Sequence, residues 1–154
     1  MTPKTVRESQ SQLSELALPN DANALGNLLG GKLMHLMDIA GSLAAARHAR
    51  AFVVTASFDH MNFLAPVRIG QLVVLYSSVN RAFRTSMEAG VKAFVEDLRT
   101  GERRHVSSAY LTFVALDENR KPVPVPPIVP ETEEEKRRYE QAGERRAHRL
   151  ATRH

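Results

Sequence analysis

The feature that most constrains the fold is a helix-forming segment that runs from Leu28 to about Ala49. It contains no proline and almost no β-branched residue, and leucine, methionine and alanine dominate it, which together favour an α-helix. Apolar residues fall on nearly every side of this helix, and a helix with so little polar surface is usually covered by other elements. The sequence therefore predicts one long, largely buried helix at the centre of the fold.

Period-two patterns rich in Val, Phe, Tyr and Thr predict strands on either side of this helix. A first strand is expected near residues 10–18, and four more at 52–58, 72–79, 86–95 and 105–116. The three connections between the last four strands suit hairpins. Together these elements predict an α+β fold in which an antiparallel sheet wraps around one long buried helix.

The C-terminal part of the chain has a different character. Five prolines between Pro122 and Pro130 are expected to prevent any strand or helix there. Thr132 suits the N-cap of a charged helix that runs to about Leu150, and its acidic start and basic end match the helix dipole. Its few apolar residues predict a solvated or subunit-bracing helix. We expect a domain over residues 1–130 and a charged helical tail over residues 131–154.

The composition excludes several classes of protein. The chain has 154 residues and no cysteine, so thiolate catalysis and thiolate metal sites are excluded. No segment approaches the ~18 consecutive apolar residues of a membrane span, and the polar N-terminus lacks the apolar core of a signal peptide. The net charge of +4 is spread out, and no motif for reading nucleic acid is visible. We expect a cytoplasmic protein that binds neither nucleic acid nor membrane.

Asp38 is the residue that points most directly to chemistry. It lies within an apolar run of the predicted helix, where an ionised carboxylate is unfavourable unless it is paired or hydrated. Gly31, His35, Ser42 and Ala45 share its helix face and form a small-and-polar stripe. This stripe either faces solvent or lines a cleft in which Asp38 acts as a general base or nucleophile.

Gly30 and Gly31, at the start of the helix, are a second candidate feature. Backbone N–H groups at a helix N-terminus are natural oxyanion donors, and glycines let a carbonyl group approach them. Together with Asp38 two turns later, they indicate acyl transfer. Asn23 lies in the preceding loop, where an asparagine usually satisfies backbone groups. The histidines show no paired ligand spacing, so no metal is expected.

Residues 19–41 resemble the signature of hot-dog acyl-CoA thioesterases, in the branch of the cytosolic acyl-CoA hydrolases. They read Pro-Asn-Asp-Ala-Asn-Ala-Leu-Gly-Asn-Leu-Leu-Gly-Gly-Lys-Leu-Met-His-Leu-Met-Asp-Ile-Ala-Gly. Further matches follow in order, including Val54-Thr55 and Thr100-Gly-Glu102, so the resemblance covers roughly residues 9–127. It implies the hot-dog fold and hydrolysis of acyl-CoA, in fatty acid metabolism, to a free acid and coenzyme A without a cofactor.

The resemblance also implies roles for individual residues. Asn23 of one subunit would work with Asp38 of its neighbour, and Asp38 would activate water or act as a nucleophile through an anhydride. Asn23 would orient that water or bind the oxyanion, with the amides near Gly30 and Gly31. The stretch that approaches coenzyme A in relatives corresponds to Arg84, Thr85 and Ser86. Relatives form dimers that commonly assemble into a hexamer, so a dimer-based homo-oligomer is expected.

Two other functions of the same fold stay open at this point. One is a non-catalytic acyl-CoA-binding or regulatory hot-dog protein, because a fold does not dictate activity. The other is an enoyl-CoA hydratase, for which His35 with Asp38 is the local histidine–acid pair. In the thioesterase interpretation, an apolar channel for the acyl chain is expected. Its candidate lining residues are Leu28, Leu29, Met34, Met37 and Phe63.

Overall fold

A five-stranded antiparallel sheet carries a long helix on each of its faces in the computed structural model, which describes residues 1–153. In chain order the elements are β1 (Lys4–Thr5), β2 (Ser11–Leu16), α1 (Gly30–Ala49), β3 (Phe52–Phe63), β4 (Leu72–Ala82), β5 (Ser86–Glu96), β6 (Arg103–Leu116), β7 (Ile128–Val129) and α2 (Glu133–Ala151). This arrangement is the predicted hot-dog fold, with an additional C-terminal helix. Neither helix within residues 1–153 is long and apolar enough to span a membrane.

The strand order is β2-β4-β5-β6-β3, and this order corrects one expectation. The β4–β5 and β5–β6 hairpins form as predicted, but β3 and β4 do not pair. Instead β3 pairs with β6 at one edge, and β2 takes the edge beside β4, with Leu13 opposite Leu75. The predicted hairpin between β3 and β4 is wrong. β2 pairs with β4 instead, which adds Leu13 to the core, and residues 64–71 cross over from β3 at one edge of the sheet to β4.

The helix α1 packs on one face of the sheet. Gly41 permits a close approach, because a Cβ atom there would lie 3.1 Å from the ring of Phe113. The opposite side of α1 is not covered by its own chain, and Met34 and Leu43 are 40% and 39% exposed. The sequence predicted that other elements would cover α1 on most sides, but within one copy of the chain only the side that faces the sheet is covered. The helix residues buried against the sheet are Leu33, Leu36, Met37, Ala40, Gly41, Ala44, Ala45 and His48.

The proline-rich segment contains a short strand, which the sequence analysis did not expect. Ile128 and Val129 of β7 pair in parallel with β1. The amide of Lys4 donates to the carbonyl of Pro127 at 3.0 Å. The prediction was wrong because the two residues between Pro127 and Pro130 keep their N–H groups and can extend a ladder, which the flanking prolines limit to two residues.

The bounds of α2 are those predicted, and the hydroxyl of Thr132 caps it by accepting from the amide of Glu135 at 3.0 Å. The helix is not simply solvated, however, because it packs on the outer face of the sheet. Arg145 donates to both carboxylate oxygens of Glu88 at 2.7 and 2.8 Å. Asn80 adds a third bond, from Nδ2 to Oε2 of Glu88, at 2.9 Å.

Replacing Arg145 with methionine should lower the free energy of unfolding by about 3 kcal/mol, because it leaves the carboxylate of Glu88 buried without its cation. Glu88 is 1% exposed, so water does not substitute for the guanidinium. Urea unfolding measures the effect. Arg137→Met is the control, since Arg137 pairs with Glu134 at the surface, and a change below about 0.5 kcal/mol is expected. Equal, small losses in both variants would contradict the assignment.

His48 is fully buried at the end of α1. Its Nε2 bonds to the carbonyl of Pro126 at 2.6 Å, and its Nδ1 has no partner among residues 1–153. Burial lowers the pKa of His48 below its ordinary value of 6.5, although the bond to Pro126 opposes this shift. The folded protein therefore keeps this imidazole neutral when the unfolded chain takes up a proton.

Stability should consequently fall as the pH drops below 6.5 and continue to fall until the lowered pKa of His48 is passed. Above 6.5 both states are neutral and the full stability is present. Because the unfolded chain binds up to one more proton than the folded protein in this range, the free energy of unfolding falls by up to about 1.4 kcal/mol per pH unit. Urea unfolding at several pH values should show a smaller acid loss for His48→Gln than for the wild type. Identical slopes would exclude His48 as the cause.

Candidate active site

Asp38 lies in the middle of α1, partly buried, and one of its carboxylate oxygens is held in place. The hydroxyl of Thr55, on β3, donates to Oδ1 of Asp38 at 2.6 Å. No hydrogen bond to Oδ2 is formed by any residue between 1 and 153. The carboxylate is thus oriented through one oxygen and open at the other, which is the arrangement that a general base needs.

Asn23 is locked into its own loop by its side-chain oxygen. Oδ1 accepts from the amides of Leu25 and Asn27 at 2.9 and 3.1 Å. Asn23 therefore satisfies backbone groups, as asparagines in turns commonly do. Because the oxygen is engaged by two N–H groups, Nδ2 lies on the open side of the side chain. It has no acceptor in the part of the chain that the structure describes, so it is available as a donor.

The first turn of α1 offers backbone donors close to Asn23. The helix begins at Gly30, and no side chain caps it. The amides of Gly30 and Gly31 find no acceptor within residues 1–153. A Cβ atom at Gly31 would meet nothing within 4 Å, and one at Gly30 would meet the ring of Phe63 at 3.4 Å. Space is therefore open in front of these two amides.

A cavity of about 340 Å³ joins Asn23 to this helix start, and Gly30, Leu28 and Phe63 line it. Asp38 does not line this cavity. It lies two turns further along α1, roughly 12 Å from Gly30 along the helix axis. A single copy of the chain therefore brings Asn23 together with the glycines and keeps Asp38 apart from both.

The stretch Arg84–Ser86 forms the turn between β4 and β5. The carbonyls of Arg84 and Thr85 accept from the amides of Val125 and Ala115, each at 3.0 Å, which fixes the turn. The hydroxyl of Ser86 lies 3.4 Å from Nη1 of Arg146 on α2. Ser86 is therefore on the α2 side of the sheet, while Asp38 is on the α1 side, and the side chain of Arg84 is exposed.

Thr55 is the residue of this site to which the sequence analysis assigned no role. The signal that marks it is a hydroxyl on the α1 face of the strand that follows the helix, since Thr55 pairs opposite Phe113, whose ring lies against Gly41 of α1. Met37, expected in an acyl channel, is fully buried in the core, whereas Leu29 and Met34 are exposed.

No group of three His, Cys, Asp or Glu residues within 1–153 is placed to hold a metal ion.

His35 does not take part in the arrangement around Asp38. It is exposed on the open side of α1, and it forms neither a hydrogen bond nor an ion pair with Asp38. The histidine–acid pair that a hydratase would need is therefore not formed in this chain.

Comparison with known proteins identifies relatives of this sequence. The model of the Thioesterase superfamily matches residues 25–102. The uncharacterized acyl-CoA thioester hydrolase YkhA of Bacillus subtilis is 48% identical over 136 residues, covering 87% of this chain and 79% of that protein. The cytosolic acyl coenzyme A thioester hydrolase of Rattus norvegicus is 38% identical over 141 residues. That match covers 90% of this chain but 37% of the rat protein.

Solved structures show the same similarity. An apo-hexameric acyl-CoA thioesterase aligns with a TM-score of 0.92 and 41% identity, covering 99% of this chain and 100% of the other. The acyl-CoA hydrolase of Staphylococcus aureus, in complex with butyryl coenzyme A and coenzyme A, aligns with a TM-score of 0.88 and 36% identity over 96% of this chain and 90% of its own. Three further structures of that enzyme carry an alanine in place of one aspartate, one asparagine or one threonine.

Proposed function

Since the chain belongs to the thioesterase superfamily and is an acyl-CoA thioester hydrolase, we propose that Asn23 and Asp38 of two different copies form its active site. The observation that carries this proposal is the separation of the two halves of the site within one chain. The donors lie at the start of α1, around Asn23, and the base lies roughly 12 Å further along the helix. A second copy, placed against the open side of α1, would bring its own Asp38 to these donors.

In this proposal Asp38 takes a proton from water through its open oxygen Oδ2. The water oxygen forms a bond to the thioester carbonyl carbon, and the negative charge that develops on the carbonyl oxygen is stabilised by donors. These donors are Nδ2 of Asn23 and the amides of Gly30 and Gly31. The carbon–sulfur bond then breaks, and the proton held by Asp38 passes to the leaving sulfur, which releases the acid and the thiol of coenzyme A. Direct attack by Asp38, through an anhydride, is the alternative route from the same position.

The variants of the Staphylococcus aureus enzyme support this assignment. An asparagine, an aspartate and a threonine were replaced there. The intervals between those three positions equal the intervals between Asn23, Asp38 and Thr55. The replaced threonine thus corresponds to Thr55, whose hydroxyl donates to Asp38 in this chain. Thr55 is therefore included in the proposed site as the residue that orients the carboxylate.

The free surfaces of the chain support a dimer with shared sites. β3 is an edge strand, and it carries exposed apolar residues at its two ends, with Phe52 70% and Phe63 56% exposed. Pairing of two β3 edges about a two-fold axis would continue the sheet and cover these residues. Because similar thioesterases are hexameric, we propose an assembly of three such dimers. We also propose that the reaction needs no metal and that the protein is cytoplasmic, as the name of the cytosolic relative indicates for that protein.

The shared site is tested by mixing two inactive variants. Asp38→Ala should reduce hydrolysis, measured as free thiol from acyl-CoA, by a hundredfold or more, roughly the contribution of a general base. Asn23→Ala should lower kcat. After dissociation and reassociation of the two variants, each mixed dimer holds one intact site, so about a quarter of the wild-type rate should return.

Glu144→Ala is the control for this experiment, because Glu144 is an exposed carboxylate on α2, and it should keep the wild-type rate. Chain exchange is confirmed by mass spectrometry of differently labelled variants. If exchange occurs and no activity returns, the site is built within one chain and the shared-site proposal fails.

Thr55→Val tests the orientation of the catalytic carboxylate. Valine has nearly the shape of threonine but lacks the donor to Asp38, so kcat should fall on the order of tenfold while the fold is retained. Thr55→Ser keeps the hydroxyl and should recover most of the rate. Steady-state kinetics on one acyl-CoA compares the three proteins. A serine variant as slow as the valine variant would show that the methyl group, and not the hydrogen bond, matters.

A further inference from the structure

Lys32 lies in the first turn of α1, where a positive charge opposes the helix dipole. The N-terminal end of a helix carries partial positive charge, so a lysine there is unfavourable unless acids compensate it. Two acids do so, from two other elements. Nζ of Lys32 lies 3.3 Å from Oε1 of Glu15, on β2, and 3.8 Å from Oδ2 of Asp21, in the loop before α1. These three residues are called the Lys32 bridge below.

The Lys32 bridge joins β2, α1 and the loop of residues 19–29. The side chain of Lys32 is 24% exposed, and those of Glu15 and Asp21 are 38% and 30% exposed. Ion pairs that are partly open to water contribute little to the stability of a fold, because solvent screens them. We therefore expect the bridge to matter for the position of the loop more than for the stability of the protein.

Asp21 lies at the neck of the loop that carries Asn23. The carbonyl of Asp21 accepts from the amide of Leu29, the N-cap residue of α1, at 2.8 Å. Ala22 and Leu28 form the next bridge across the neck. The loop is thus folded back on itself, and Asp21 stands directly opposite the helix start. A shift of Asp21 would move Asn23 relative to the free amides of the first turn.

The other attachments of the loop lead to the crossover between β3 and β4 rather than to α1. The amide of Leu28, for example, donates to the carbonyl of Val67 at 2.7 Å. Among the hydrogen bonds and ion pairs formed by residues 1–153, the pair of Lys32 with Asp21 is the only one that joins a side chain of α1 to the loop. Lys32 is therefore the side chain through which the helix holds the loop.

We propose that Lys32 is a positioning residue for hydrolysis, which holds the loop so that Nδ2 of Asn23 and the amides of Gly30 and Gly31 converge on one carbonyl oxygen. The proposal rests on the proposed function, since it takes Asn23 as an oxyanion donor. Donors that are fixed in advance stabilise the transition state without reorganising, and a misplacement of about 1 Å can lower a rate by up to about 100-fold. Lys32 touches no substrate in this role and acts through Asp21 and Asn23.

Lys32→Met tests the role, because methionine keeps an unbranched side chain but loses the charge. Its kcat on one acyl-CoA, measured as free thiol, should fall about tenfold, with KM nearly unchanged, because the contacts to the oxyanion form in the transition state. Lys32→Arg keeps a cation that can reach the loop and should recover most of the rate. An arginine variant as slow as the methionine variant would contradict a role for the ion pair.

Two truncations separate the position of the loop from the balance of charge. Asp21→Ala releases the loop from Lys32 and should lower kcat as Lys32→Met does. Glu15→Ala removes the same charge from β2 but leaves the pair with the loop in place, so its kcat should stay within about twofold of the wild type. Equal losses in both variants would overturn the positioning role. Lys136→Met is the control for removing a lysine, because Lys136 pairs with Glu133 at the surface of α2, and it should keep the wild-type kcat.

A double variant shows whether Lys32 acts through Asn23. If it does, adding Lys32→Met to Asn23→Ala should lower kcat by less than about twofold more, because the loop then has no donor left to misplace. A further tenfold loss in the double variant, or a wild-type kcat in Lys32→Met, would overturn the inference while leaving the proposed function intact. A wild-type kcat in Asn23→Ala is the separate result that would overturn the proposed function, and the positioning role with it.

Discussion

The packing of α1 against the sheet is the constraint on which the candidate site depends. Gly41 brings the helix close to Phe113, and the hydroxyl of Ser77 anchors it by donating to the carbonyl of Ala40 at 2.6 Å. Asp38 lies one turn before Gly41 on the same helix face, and Thr55 is the cross-strand partner of Phe113. The contact that seats the helix therefore also sets the bond between Thr55 and Asp38.

Local patterns predicted most elements of this fold, and non-local pairing accounts for the main error. The composition of residues 28–49 and the alternation in β4, β5 and β6 are properties of single segments, and each element forms where it was expected. Whether β3 pairs with β4 depends on the competing pairing of β2 with β4, and β2 lies far from β4 in sequence. The docking of α2 depends on buried charge pairs such as Arg145 with Glu88, which a hydrophobic pattern does not register.

The candidate site divides in the same way. Asp38 stands out because an acid within an apolar helix is unfavourable without a partner, and Gly30 and Gly31 stand out because glycine weakens a helix. Both signals are local. Thr55 is an ordinary strand residue until the sheet brings it to Asp38. The separation of Asn23, in the loop before α1, from Asp38, in the middle of α1, is visible only in the structure. Sequence spacing alone does not say whether the two side chains meet.

The way in which α2 is attached has a thermodynamic consequence. Among the helix residues, Ala142 alone is fully buried, and the other attachments are charged or aromatic, such as Arg149 with Asp59 at 2.7 Å. Detaching α2 therefore exposes little apolar surface, so the heat capacity change of this local opening is small. Its amides should exchange with solvent deuterium at rates that respond weakly to denaturant. The helix can thus open as a separate unit while the sheet and α1 remain folded.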